Sequence, residues 1–92
     1  MHMEELIGKK VVETQAKVLG EVIDIEFDEK TMQLTKICLK LNENIVEEMG
    51  LKKPRLIGSV KADLPITVIK AISDVVTLNR SAKELGPIAV QH

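Results

Sequence analysis

Between Val18 and Glu29 the chain reads VLGEVIDIEFDE. Its odd positions are Leu19, Glu21, Ile23, Ile25 and Phe27, and its even positions are Val18, Gly20, Val22, Asp24, Glu26 and Asp28. Apolar and acidic side chains alternate with the two-residue period of a half-buried β-strand. Gly20 interrupts the run, which predicts a bend or close packing there, because glycine weakens a straight strand. Glu29-Lys30-Thr31 predicts a turn, and QLTKICLKL, Gln33 to Leu41, returns as a second strand with Ile37, Leu39 and Leu41 on one face. If even residues pair with even residues in this hairpin, Lys36 faces Asp24 or Glu26. Opposite charges so placed contribute about 0.2–1 kcal/mol.

Working outward, LIGKKVVET (Leu6 to Thr14) reads as a short strand and Gln15-Ala16-Lys17 as a turn. NENIVEEMG (Asn42 to Gly50) predicts one short helix, with Asn42 or Asn44 as its N-cap and Gly50 as its C-terminal glycine. Lys52-Lys53-Pro54-Arg55 forms a basic loop. A strand is expected over Leu56 to Ala62, interrupted by Gly58. Pro65 opens a helical turn. IKAISDVVTL (Ile69 to Leu78) holds one or two short strands about a turn at Ser73-Asp74. The S-x-x-E spacing of Ser81 to Glu84 is that of a capping box, predicting a helical turn that runs to Gly86-Pro87. Short strands with frequent turns predict a small antiparallel sheet or barrel.

The 92 residues make one small domain, able to bury roughly 60–65% of its unfolded surface. The net charge of −1 sets up no general attraction to phosphate or to an anionic membrane. Phe27 is the sole aromatic residue, so base stacking of the kind used to hold single-stranded nucleic acid is disfavoured. One cysteine, Cys38, excludes an internal disulfide and a cysteine-rich zinc site. With no signal peptide and no apolar run of about 18 residues, a reducing, cytoplasmic setting without membrane insertion is expected. Met1-His2-Met3 reads as a start with an added residue or a second start, and carries no functional weight.

The candidate sites are few. Asp24, Glu26 and Asp28 suggest oxygen ligands for Mg²⁺ or Ca²⁺. Same-face residues on a strand, however, lie roughly 6.5–7 Å apart, so the three are expected as a solvated face balanced by Lys36 and Lys40. The histidines, His2 and His92, stand at the extreme ends, where side chains are rarely held in place. Cys38 lacks an internal histidine partner and reads as a small hydrophobe among strand residues. No Gly-rich phosphate loop or G-x-S-x-G elbow is present. No enzyme activity, metal or cofactor is therefore expected. Lys52, Lys53 and Arg55 are too few for a nucleic-acid footprint and read as a solvated loop or a charged rim. Val18, Val22, Leu34 and Cys38 share parity with Asp24 and Lys36, and so place apolar surface on the wet face. Its cover is the helix through Ile45, Val46 and Met49, the tail Ile88 to Val90, or a partner, for which a second copy of the chain is the simplest choice. Val18, Val22, Leu34, Cys38, Lys52, Lys53 and Arg55 are accordingly the candidate protein-interaction residues, and a homodimer is expected.

The residues Ile7-Gly8-Lys9, Val11, Leu19-Gly20 and Val22 through Asp28 resemble the opening of the PRC-barrel domain. Leu64-Pro65, Val68, Ile72, Asp74 and Leu78 are similar, in order, to its closing segment. Gln15-Ala16 and Ser73 stand where the family often has glycine. The resemblance covers residue 5 to about 79, leaving 80–92 as a C-terminal extension. It implies a six-stranded, partly open antiparallel β-barrel with one or two short helices. The chain looks most like the stand-alone archaeal members, some of which associate in cell division with SepF, the membrane anchor of FtsZ. That implies a non-catalytic adaptor. The C-terminal domain of the ribosome maturation factor RimM belongs to the same family and implies the alternative, a ribosome-assembly or RNA-processing accessory.

Overall fold

A computed structural model describes residues 3–53 and 59–92. Among these residues seven strands form one open sheet in the order β5-β6-β1-β2-β3-β4-β7. The strands are β1 (Lys10–Val12), β2 (Val18–Asp28), β3 (Gln33–Leu41), β4 (Val60–Pro65), β5 (Ile69–Ile72), β6 (Val75–Leu78) and β7 (Val90–Gln91). Two short helices, α1 (Glu43–Glu48) and α2 (Ala82–Leu85), accompany them. The first four strands form an antiparallel meander. The chain then crosses back through the helical turn after Pro65, and β6 joins β1 in parallel. The sheet is therefore mixed, and it holds one more strand than expected because the tail adds β7 to β4. The expected strand over Leu6 to Thr14 is shortened to β1. Gly8, at φ +88°, turns the chain before it, and Leu6 drops into the core. The expected strand over Leu56 to Ala62 is found as Val60–Pro65, and residues 54–58 lie outside the described part.

The hairpin of β2 and β3 is the longest pairing, and its register shifts twice. From Gly20↔Leu41 to Val22↔Leu39 the pairing is regular. Ile23 is then an extra residue, and Asp24 lies opposite Cys38, Ile25 opposite Ile37 and Glu26 opposite Lys36. Thr35 is the extra residue on the other strand, so Phe27 lies opposite Leu34, and its hydroxyl donates to the Glu26 carbonyl at 3.1 Å. Each inserted residue swaps the faces of everything beyond it. The even-to-even pairing of Glu26 with Lys36 holds between the two bulges and fails outside them.

That exchange overturns part of the expected interaction surface. Val22 is 0% exposed and belongs to the core opposite Leu39, and the bulge at Ile23 parts its face from that of Asp24, so that the inward face of β2 passes from Gly20 and Val22 to Ile25. Leu34 is half-buried and packs against the core, turned inward by the bulge at Thr35. Neither residue lies on the outer face with Asp24.

The core runs through Leu6, Val11, Leu19, Val22, Ile37, Leu39, Leu64, Val76 and Leu78, and both helices add to it with Ile45, Val46, Ala82 and Leu85. Asn42 is the N-cap of α1, but its amide donates to the Val18 carbonyl at 3.2 Å instead of capping. Gly50, at φ +74°, follows the helix. The capping box of α2 is complete. Ser81 Oγ accepts from the Glu84 N–H, and the Ser81 N–H, donated to the Glu84 carboxylate, holds that acid below its ordinary range. Glu13, the one buried charged residue among those described, ties these parts together. Its carboxylate accepts from the N–H groups of Gln15 and Lys17, at 2.7 and 2.9 Å, and of Ala82 at 3.3 Å. It closes the turn between β1 and β2 and fastens α2 to it. Across that turn Lys17 pairs with Glu48 of α1 at 2.6 Å.

A Cβ on Gly20 would fall far inside contact distance of the Lys40 carbonyl on β3, so the expected close packing is found there. Gly20→Ala should cost about 3 kcal/mol, at the upper end for overpacking against atoms that cannot retreat. Glu13→Ala should cost on the order of 2–4 kcal/mol, since it strips three backbone donors of their acceptor. Urea denaturation checks both. A loss below about 0.5 kcal/mol, the range of a neutral surface change, would contradict either assignment.

Candidate functional site

On the outer face of the sheet, Asp24, Cys38 and Asp63 stand in one row across β2, β3 and β4. Residues directly opposite one another on neighbouring strands bring their Cβ atoms to about 4.5–5.5 Å, so the register forces the thiol between two carboxylates. β7 pairs Val90 with Asp63, and the His92 N–H donates to the Lys61 carbonyl at 2.9 Å. This holds the imidazole over the row, and His92 Nε2 lies 2.9 Å from Asp63 Oδ1. One donor atom from each of Cys38, Asp63 and His92 falls within 4.8 Å of the others. The cluster lines a small open cleft of about 120 Å³, with Ile25, Glu26 and Lys36 along its rim.

Burial, a hydrogen bond to Asp63 and the negative charges of Asp63 and Asp24 push the Cys38 thiol up to about 11, against a slight opposing pull from Lys61. A group protonated more readily in the folded chain stabilises it below the unfolded value of 9.0. That contribution is lost as pH climbs from there to about 11. The His92 imidazole is engaged with Asp63. The arrangement suits a neutral thiol, not a nucleophile.

The second feature is the far end of the β2–β3 hairpin. β1 pairs with β2 no further than Glu21, with hydrogen bonds reaching Val22, and β4 begins its pairing with β3 at Lys36. Among the described residues, Asp24 to Glu26 have a strand neighbour on the β3 side only, and beyond Lys36 the pairs Phe27↔Leu34 and Asp28↔Gln33 form a two-stranded arm. The Ile25 N–H donates to the Asp24 carboxylate at 2.8 Å. At the tip, Asp28 Oδ1 accepts from the N–H groups of Lys30 and Thr31, at 2.8 and 3.4 Å, and Met32 takes a positive φ of 58°. Phe27 is 39% exposed and Met32 76%.

The candidate interaction residues are thereby scattered. Val18 is exposed and lines a separate hollow with Lys10, Glu21, Lys40 and Asn42. Cys38 lies in the cleft between the carboxylates. Lys52 and Lys53 are exposed after α1, where Lys53 Nζ lies 3.9 Å from Glu47 and Lys52 is tied through its backbone to the Gln91 side chain. Arg55 lies outside the described residues. Asp24, Glu26 and Asp28 do not gather into a cation site: Asp24 and Asp28 cap backbone N–H groups, and Glu26 faces Lys36. Sequence reasoning missed the Cys38–Asp63–His92 cluster because it gave His92 no fixed place. The signal was the tail itself, whose PIAVQH carries a residue pair able to form a strand beside β4.

An open, strongly bulged sheet of short strands, one meander plus a parallel return, defines a small β-domain without a closed interior. A family model described as the PRC-barrel domain matches residues 1–85, and the chain belongs to that family. The match extends into α2, and the structure carries the chain on to β7. No protein of curated function matches the chain. Among the described residues no helix is long and apolar enough to cross a membrane.

At neutral pH, a thiol raised to about 11 carries roughly 100-fold less thiolate than an ordinary cysteine. Alkylation of Cys38 in the folded protein should be slowed accordingly, and Asp63→Asn should speed it by removing a neighbouring anion. Labelling followed by mass spectrometry reads both rates. Reaction as fast as that of a free thiol, or no response to Asp63→Asn, would contradict a thiol held protonated by burial and by its two flanking carboxylates.

Proposed function

We propose that this PRC-barrel protein is a non-catalytic interaction module whose docking element is the β2–β3 arm. The observation that carries this reading is the exposure of Phe27, the sole aromatic side chain, and Met32 on an arm whose strands have a strand neighbour on one side only. Large apolar side chains beside an unpaired strand edge suit strand addition, in which backbone hydrogen bonds bind and alternate side chains select. Asp24, Glu26 and Asp28 supply a charged rim. A second copy is the simplest occupant of such an edge, and the protein is proposed to be a homodimer. A SepF-type division protein is the first external partner to test, on the resemblance to stand-alone archaeal members. The protonated thiol of Cys38 and the engaged imidazole of His92 support the absence of catalysis.

Light scattering after size exclusion, with calorimetric titration against purified SepF, tests the reading. A dimer that binds SepF is expected. The double variant Phe27→Ala/Met32→Ala should lose roughly 30-fold in affinity, corresponding to about 2 kcal/mol for a truncated anchor pair. Circular dichroism should show the variant folded, so that the loss reads binding and not unfolding. A variant that dimerises and binds like the parent would rule the arm out as the docking element. A monomer that ignores SepF and co-sediments with ribosomal subunits would favour the accessory role of the RimM kind.

A further inference from the structure

We propose that Cys38, Asp63 and His92 form a binding site for a borderline-soft divalent cation of the Zn²⁺ class. The donors come from three adjacent parts of the sheet: β3, β4 and the residue after β7. They offer one sulfur, one oxygen and one imidazole nitrogen within 4.8 Å of one another. Zinc bonds of about 2.0–2.3 Å, arranged tetrahedrally, put ligand atoms roughly 3.3–3.8 Å apart. The cluster reaches that geometry by side-chain rotation, with the 2.9 Å contact of His92 and Asp63 opening slightly.

The donor set discriminates between cations. Mg²⁺ and Ca²⁺ take oxygen ligands, whereas a thiolate with an imidazole selects Zn²⁺ and its spectroscopic substitute Co²⁺. The surroundings favour a cation. Asp24 stands beside Cys38 in the same row and Glu26 lies on the cleft, against one lining ammonium among the described residues, that of Lys36, and the more weakly acting charge of Lys61. The cleft opens to solvent, which provides an entry path and leaves the fourth coordination position to water or to a ligand from a partner. Three protein ligands with one open position are the usual set of a site that exchanges its fourth ligand. Binding requires the thiolate, so the Cys38 proton passes to solvent as the Sγ–metal bond forms, and affinity rises with pH. The anions that discourage thiolate in the metal-free chain are the same ones that draw the cation in.

The site and the arm stand on different observations. Titration of the full chain with Co²⁺, followed by absorption spectroscopy, tests the site directly. One Co²⁺ per chain is expected, with a sulfur-to-cobalt charge-transfer band that Zn²⁺ abolishes by displacement and Mg²⁺ leaves unchanged. Cys38→Ser should remove the band. His92→Ala and Asp63→Asn should each weaken binding by at least the roughly 10–100-fold that even an outer-shell loss costs, while circular dichroism confirms that each variant is folded. Phe27→Ala/Met32→Ala should leave the band intact. A folded parent without a charge-transfer band, or a band of equal strength in His92→Ala and Asp63→Asn, would overturn the proposal.

Discussion

One inserted residue, Ile23, governs the architecture. β2 is the central strand of the meander, paired with β1 on one side and β3 on the other. Had its register continued unbroken from Val22↔Leu39, Ile23 would face Cys38 and Asp24 would face Ile37, directing a carboxylate toward the apolar core. An isolated carboxylate there costs far more than the local disruption of a bulge. With Ile23 set aside, Val22 and Ile25 both turn inward and Asp24 turns out. Next to the bulge, the Ile25 N–H donates to the Asp24 carboxylate. The second bulge, at Thr35, restores the original register beyond Glu26 and brings Phe27 and Leu34 together on the inner face, where the core is running out.

Both functional features descend from that strand. The outer-face row of Asp24, Cys38 and Asp63 exists because the bulge aligns an acid of β2 with the thiol of β3. The arm exists because β2 and β3 outrun their neighbours, leaving Phe27 and Met32 beyond the part of the sheet that can cover them. β7 then adds His92 to the row. Glu13 and the capping box of Ser81 secure the tail from the other end, through the N-terminus of α2.

Much of this was legible beforehand because it depends on neighbours in sequence. The hairpin, the turn after Asp28, the helix between Asn42 and Gly50, the helical turn after Pro65 and the capping box at Ser81 each follow from a few adjacent residues. The faces of β2 were misread because strict alternation was assumed along its whole length. Glu21, an acid in line with Leu19, Ile23, Ile25 and Phe27, was the mark of the break. It is exposed while Val22 is buried. The parallel pairing of β1 with β6, the burial of Glu13 and the placement of His92 depend on segments distant in the chain, which no local pattern of residues reports. The family resemblance supplied the β-rich plan but not the seventh strand, and the cluster at Cys38 needs that strand.

The register of β2 against β3 is the claim on which the rest stands, and cross-strand nuclear Overhauser effects measure it in solution. A bulge at Ile23 predicts contacts linking Val22 with Leu39, Asp24 with Cys38, and Ile25 with Ile37. Contacts linking Ile23 with Cys38 and Asp24 with Ile37 would show an unbroken ladder. They would remove the physical basis for both the acidic row around Cys38 and the inward turn of Ile25.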